Sequence, residues 1–268
     1  MTTVHRLEAV GVTVGYGEEP VVRDLSLAVP EGRVTTIIGP NGCGKSTMLR
    51  TLARLLTPTS GQVLLDGSPI SAIGTREVAR RMALLPQSPV APDGLLVRDL
   101  VGRGRHPHQR WFQQWSPEDE RVVEESLRLT DTLDLADRAL DQLSGGQRQR
   151  AWIAMTLAQE TGLLLLDEPT TFLDLAHQVE VLELVTRLNR DRGRTVVMVL
   201  HDLNLAARYS DVVVVMKAGA VVTQGRPVEV FTPELLAEVF GLEADVLDDP
   251  RTGLPVVVPR SAANALVT

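Results

Sequence analysis

Two short stretches of this 268-residue chain carry residues that could do chemistry. The first is Gly39-Pro40-Asn41-Gly42-Cys43-Gly44-Lys45-Ser46-Thr47, set between a β-branched run, Val34–Ile38, and a run with helical spacing. Glycines there let backbone N–H groups close around phosphate oxygens, and a helix starting at such a loop adds its positive end. Lys45 supplies a point charge for the outer phosphates of a nucleoside triphosphate, and Ser46 offers a hydroxyl to Mg²⁺. Cys43 falls at a variable position of the loop, where packing is the simpler role. The second stretch is Leu163–Leu166 followed by Asp167 and Glu168. Four apolar residues bury a strand, and two carboxylates stand where it emerges. One acid can hold the Mg²⁺ shell while the other orients and deprotonates water. Many strands end in Asp as a turn or cap residue, so the acids gain their meaning from the phosphate loop.

Two further groups stay open on their residues alone. His201 ends a second β-branched run, Thr195–Leu200. A histidine there is either a satisfied structural residue or a partner of Glu168, because ligands bind at the carboxyl ends of parallel strands. Leu143-Ser144-Gly145-Gly146-Gln147 opens a helical run holding Trp152, Ile153, Leu157 and Ala158. It is a second anion site at a helix N-terminus, or a plain cap.

The elements that must position these residues follow from periodicity. Val10, Val12 and Val14 alternate, as do Leu25, Leu27 and Val29, which suits half-buried strands near the N-terminus. Met48, Leu49, Leu52, Leu55 and Leu56 share one helix face, with Thr57-Pro58 as the stop. Val63–Leu65 and Asp66-Gly67 make a short hairpin, and residues 76–85 a helix running into the strand Met82–Leu85. From about 93 to 140 only helical spacing and a polar loop occur, with Ser116-Pro117-Glu118-Asp119 as a capped start. Alternation then resumes through helix 175–192, strand 195–200, helix 203–209 and strand 212–216, and Lys217-Ala218-Gly219-Ala220 is a hairpin turn. This is an α/β fold: a mainly parallel sheet, an N-terminal antiparallel β subdomain and an inserted helical subdomain over about 88–142. Residues 1–245 form the domain and 246–268 an extension, frayed over 261–268.

Composition narrows the classes. Lys and Arg total 27 against 34 Asp and Glu, a net charge of −7, which argues against nucleic acid as a partner. Nine aromatic residues give little material for base stacking. Only Lys45 and Lys217 are lysines, a bias that fits genome composition better than chemistry. A single Cys43 excludes an internal disulfide and a cysteine-based zinc site. No apolar run approaches the roughly 20 residues of a membrane span, and the N-terminus lacks a signal-peptide core. The expectation is a soluble, cytoplasmic chain whose membrane role comes through a partner.

Taken together, the motifs resemble those of an ABC ATPase, the nucleotide-binding subunit of an ABC transporter, over roughly residues 5–240. Leu143–Gln147 is similar to the signature motif of that family, Gln87 to its Q-loop, Leu173-Asp174 to its D-loop and His201 to its switch histidine. Tyr16 falls where the family places an aromatic ring against adenine. The resemblance implies a P-loop NTPase core that uses ATP and Mg²⁺. Glu168 is then the general base, His201 its orienting partner, and Asp167 and Ser46 the Mg²⁺ holders. Gln87 reaches metal and water. It further implies a head-to-tail homodimer in which Ser144, Gly145, Gly146 and Gln147 complete the other subunit's site and Asp174 acts across the interface.

Gly104-Arg105-His106-Pro107-His108, the run Thr170–Gln178, and His201-Asp202-Leu203-Asn204 are similar to ATPases of iron–siderophore uptake, a pattern shared with haem and cobalamin importers. That implies a membrane permease, an extracellular or periplasmic solute-binding protein, and residence on the cytoplasmic face. His106, His108 and His177 read as a solvated loop or helix face rather than iron ligands. Two other classes stay open. A soluble ABC ATPase of repair or translation usually carries two cassettes or a long insertion, whereas here there is one phosphate loop and a short insertion. A scaffold without catalysis is disfavoured by intact Glu168 and His201.

Overall fold

A computed structural model describes residues 5–17, 19–109 and 115–260. The expected fraying of 261–268, and part of the polar loop, 110–114, lie outside the described residues.

Strands β1 (His5–Val14) and β2 (Val22–Pro30) pair antiparallel, and β3 (Val34–Ile38) leads into the phosphate loop and helix α1 (Lys45–Leu52). Strands β4 (Ser60–Leu65) and β5 (Ser68–Pro69) follow, then α2 (Thr75–Arg81) and β6 (Met82–Leu85). The insertion holds α3 (Val97–Arg103) and α4 (Pro117–Leu129). After it come α5 (Gly145–Ala158), β7 (Leu163–Asp167), α6 (Leu175–Arg192), β8 (Thr195–Val199), α7 (Leu203–Tyr209), β9 (Val212–Lys217) and β10 (Ala220–Gly225). A hairpin, β11 (Ala244–Asp248) and β12 (Pro255–Pro259), closes the described chain. It spans the 245/246 division, and Ala244 and Val257 are buried in the core.

Two sheets carry the domain. The smaller has the order β2-β1-β4-β5 and is antiparallel; the larger has the order β10-β9-β3-β8-β7-β6. From β9 to β6 every pairing is parallel, and β10 alone runs antiparallel at the edge. The central strands are wholly buried because each face is covered. Ile37, Leu163, Leu165, Val197 and Val199 face the small sheet and α1. Ile38, Leu164, Leu166, Met198 and Leu200 face the helical side. The period of two in the strand backbone makes this division.

The insertion is tied to the core by its own charges. Ser116 and Asp119 form a reciprocal cap at the start of α4, with Pro117 in the first turn. Arg105 is buried, donates to Asp119 Oδ1 at 2.8 Å, and reaches Ala158 O and Glu160 Oε2 at 2.7 Å. One sequence expectation fails here in the core. Helix α1 stops at Leu52, and Leu55 is 64% exposed instead of continuing the buried face. The chain turns at Arg54 (φ +60°), and the N–H groups of Leu55 and Leu56 both return to Arg50 O. The Leu spacing continues past the point where the backbone leaves the helix.

Candidate functional site

The phosphate loop begins where β3 leaves the sheet. Gly44 sits at φ +101° as the residue before α1, a conformation that a side chain would strain. Lys45 is buried, and its Nζ donates to Gly39 O at 2.8 Å and Pro40 O at 3.0 Å, so the cation curls back over its own loop. Cys43 is packed inside the small-sheet core, and burial pushes its thiol pKa up. The simpler role read from its position is the one the geometry gives it.

At the end of β7 the two acids part. Asp167 Oδ1 accepts from Ser46 Oγ at 2.8 Å, while its buried Oδ2 has no hydrogen-bond partner and stands 3.8 Å from Arg50 Nε. Burial pushes the Asp167 pKa up, against the opposing pull of Ser46 and Arg50. An orphaned buried carboxylate oxygen beside a serine hydroxyl, under a phosphate loop, fits a small hard cation. Among the described residues no group of three His, Cys, Asp or Glu forms a metal cage. Such a cation would therefore lean on phosphate oxygens and water as well.

Glu168 turns the other way, with φ +51°. Gln87 Nε2 donates to Glu168 Oε2 at 2.5 Å, Thr171 Oγ1 donates to the same oxygen at 3.0 Å, and His201 Nε2 lies 2.7 Å from Oε1. One carboxylate is thus held by β6's end, the loop after β7 and β8's end. Tyr16, Asn41, Gly42, Lys45, Ser46, Gln87, Glu168 and His201 line one cleft of about 510 Å³. The arrangement can grip a polyphosphate, hold a cation at Asp167 and Ser46, and present a carboxylate to water.

Not every predicted residue enters the cleft. Gly39, Pro40, Cys43, Ser144, Gly145, Gly146, Gln147 and Asp174 are not among the lining residues, and Asp167 lies buried beneath Ser46. Ser144 caps α5 in a reciprocal pair with Gln147, and Asp174 caps α6 through His177 N. Within one chain, the second glycine motif has no share in the phosphate cleft.

The family comparison decides the class. A family model described as "ABC transporter" matches residues 22–171. The chain belongs to the ABC transporter family. As such it is an ATP-binding, ATP-hydrolysing subunit on an α/β cassette fold. It is 51% identical, over 96% of its own length and 95% of the relative's, to the ferric enterobactin transport ATP-binding protein FepC of Escherichia coli (strain K12). A metal-chelate type ABC transporter in an inward-facing conformation superposes with TM-score 0.84 at 27% identity, covering 97% of this chain and 99% of the other. A dimeric bacterial ABC transporter cassette superposes with TM-score 0.73 at 30% identity, covering 82% of this chain and 98% of the other.

Two residues that contact this ATPase's cleft residues escape sequence reading. Thr171 bonds Glu168 from three residues on, inside a Thr-Thr pair that gave no reason to single it out. Arg50 faces both Tyr16 OH, at 3.3 Å, and Asp167. Its position on α1 one turn past Ser46 was the available signal. His108, expected in solvent, instead meets Gln159 O through Nε2 at 2.9 Å.

Proposed function

We propose that this chain powers the import of an iron–siderophore complex, working as a pair of copies beneath a membrane permease that receives its cargo from an extracellular or periplasmic solute-binding protein. The observation that carries the catalytic half is the position of Glu168. It lies at the mouth of the phosphate cleft, with Gln87, Thr171 and His201 around its carboxylate. In this reading Glu168 takes the proton of the attacking water, His201 orients it, and Lys45 neutralises phosphate charge. Ser46 and Asp167, with Gln87, would hold Mg²⁺, which would offset charge on the phosphate oxygens. Tyr16, 62% exposed at the cleft rim, would stack on adenine.

The paired arrangement is supported by the idle second motif. Ser144 to Gln147 lies outside the cleft of its own chain, so its helix terminus is available to a nucleotide held by another copy. Phe172, 92% exposed just before the D-loop, gives an apolar contact for that copy. The dimeric cassette reported above supports the same assembly. Residence at the membrane's cytoplasmic face would come through the permease, since no described helix is long and apolar enough to cross a membrane. Net charge −7 continues to argue against nucleic acid. The cargo is supported by the ferric enterobactin relative and the metal-chelate type structure.

The test is deletion of the gene. Growth on a ferric siderophore as sole iron source should cease, with rescue by ferrous iron. Loss of haem or cobalamin uptake with siderophore use intact would replace the cargo. DNA-damage or translation defects with all uptake normal would replace transport itself.

A further inference from the structure

On sequence alone His177 reads as a solvated histidine, yet its ring is fixed on two sides. Its Nδ1 lies 2.7 Å from Asp174 Oδ1, the same oxygen that accepts from His177 backbone N at 3.0 Å. A carboxylate can only accept, so Nδ1 carries the proton and the ring cannot swing freely. The ring's other edge lies against Gly146. A Cβ at Gly146 would fall 2.5 Å from His177 Cδ2 and 3.0 Å from Cγ. Gly146 is therefore glycine for a reason internal to the chain, apart from any nucleotide.

The contact is the middle rung of three. Leu173 Cδ2 lies 3.7 Å from the place of a Cβ on Gly145, and Arg150 Nη1 donates to Glu180 Oε2 at 2.9 Å. Leu173, His177 and Glu180 fall at helical spacing, so one stripe leading into and along α6 is registered on the first turns of α5. The loop before that stripe runs back to Glu168, through Thr171.

We propose that His177 is a positioning residue that locks the Gly146 end of α5 to the Asp174 end of α6. The helix terminus that serves the partner copy's ATP and the loop leading from this copy's Glu168 then move as one piece. The inference rests on the shared-site reading above, and it assigns the residue through which the two sites of a dimer stay in step.

Two measurements on the full-length chain test it. The first is thermal melting without nucleotide. Alanine favours a helix over glycine, so Gly146→Ala should stabilise unless the ring is in the way. We expect it to lower Tm by about 3–6 °C, and we expect adding His177→Ala to recover at least half of that loss. A Tm at or above the parent's, or a loss undiminished without the ring, overturns the contact. The second is steady-state hydrolysis. His177→Ala should lower kcat by roughly tenfold, as misplaced groups do, with KM for ATP within about twofold. His177→Asn, which keeps a donor near the Nδ1 position, should recover part of kcat. An unchanged kcat, or an effect confined to KM, overturns the positioning role. A rate first order in chain concentration would instead sink the shared-site reading, and the melting result would still report the ring contact separately.

Discussion

His201 Nε2 and Glu168 Oε1 lie 2.7 Å apart, just beyond the carboxyl ends of the adjacent parallel strands β8 and β7. The imidazole nitrogen stands at contact distance from one carboxylate oxygen while Gln87 and Thr171 donate to the other. Glu168 is 8% exposed, so these bonds stand in for the water that an exposed carboxylate would keep. Among the described residues Oε1 takes no donor hydrogen bond and keeps lone pairs free, so the carboxylate can accept a proton from water where it stands.

Glu168→Gln should therefore keep ATP affinity and lose at least about a hundredfold in turnover. Lys45, the loop amides and Asp167 remain to hold the nucleotide. With hydrolysis blocked, each ATP would bridge the phosphate loop of one copy and Ser144 of the other, so Mg-ATP should shift the variant to a dimer in sedimentation. Adding Ser144→Arg should disperse it. Near-parental turnover would remove Glu168 from the role of base.

Tyr16→Ala should raise KM for ATP more than it lowers kcat. Stacking on adenine is felt equally in the ground and transition states. Tyr16→Phe should be close to silent, since the phenol's partner is Arg50 Nη1 at 3.3 Å on an exposed edge. A fall in kcat at constant KM for the alanine variant would show that Tyr16 acts on chemistry through Arg50 and Asp167.

What the sequence discloses of this site is what is local. The phosphate loop is legible because Gly39 to Ser46 lies between a β-branched strand and a helix, and a loop of that spacing has few other uses. Asp167 and Glu168 are legible because Leu163–Leu166 has to be a buried strand. His201 is legible as one of two alternatives from its place at a strand end, and the resemblance decides between them; the bond of Gln87 to Glu168 is not legible at all, for nothing along the chain says that β6 and β8 flank β7. Arg105 and His177 were illegible for the same reason: each is defined by a contact made when two elements pack, Arg105 with Glu160 and His177 with Gly146. Leu55 shows the converse. Its spacing is perfect for the buried face of α1, and the helix ends before reaching it.

Arg105→Leu should destabilise the chain by about 3–5 kcal/mol, because it removes the charged partner of the buried Asp119 carboxylate and leaves Ala158 O without its donor. Burial pushes the Asp119 pKa up, but the bonds from Arg105 and Ser116 outweigh it and the net shift is down. A carboxyl lowered in the folded state adds stability above its unfolded pKa and loses it as pH falls toward the lowered value. Asp119→Asn should thus be less stable than the parent at pH 7, and urea midpoints of the two should converge below about pH 4. A gap that stays constant with pH would mean that the charge of Asp119 contributes nothing.

Asp167 has the opposite sign, and it gives the sharpest test of the cation site. Its Oδ2 is buried without a partner, and its pKa is raised, first by burial. For a carboxyl raised in the folded state, the cost of ionising it is absent below the unfolded pKa. That cost grows as pH climbs from there to the raised value and is complete above it. Above the raised value the metal-free chain carries a buried carboxylate whose Oδ2 has only the distant Arg50 Nε, 3.8 Å away, to offset it, and a bound cation would relieve that cost. Asp167→Asn should melt higher than the parent at pH 7 without metal, by the equivalent of about 1–2 kcal/mol, and the difference should vanish near pH 4. The variant should also lose what Mg²⁺ adds. In the parent, Mg-ATP should raise Tm more than ATP alone, and the Mg²⁺ increment should shrink as pH falls and Asp167 takes up its proton. In Asp167→Asn the increment should be small at every pH, and hydrolysis should be lost. If the variant melts lower than the parent at pH 7 and keeps the Mg²⁺ increment, then Asp167 is a structural partner of Ser46 and the cation is held elsewhere.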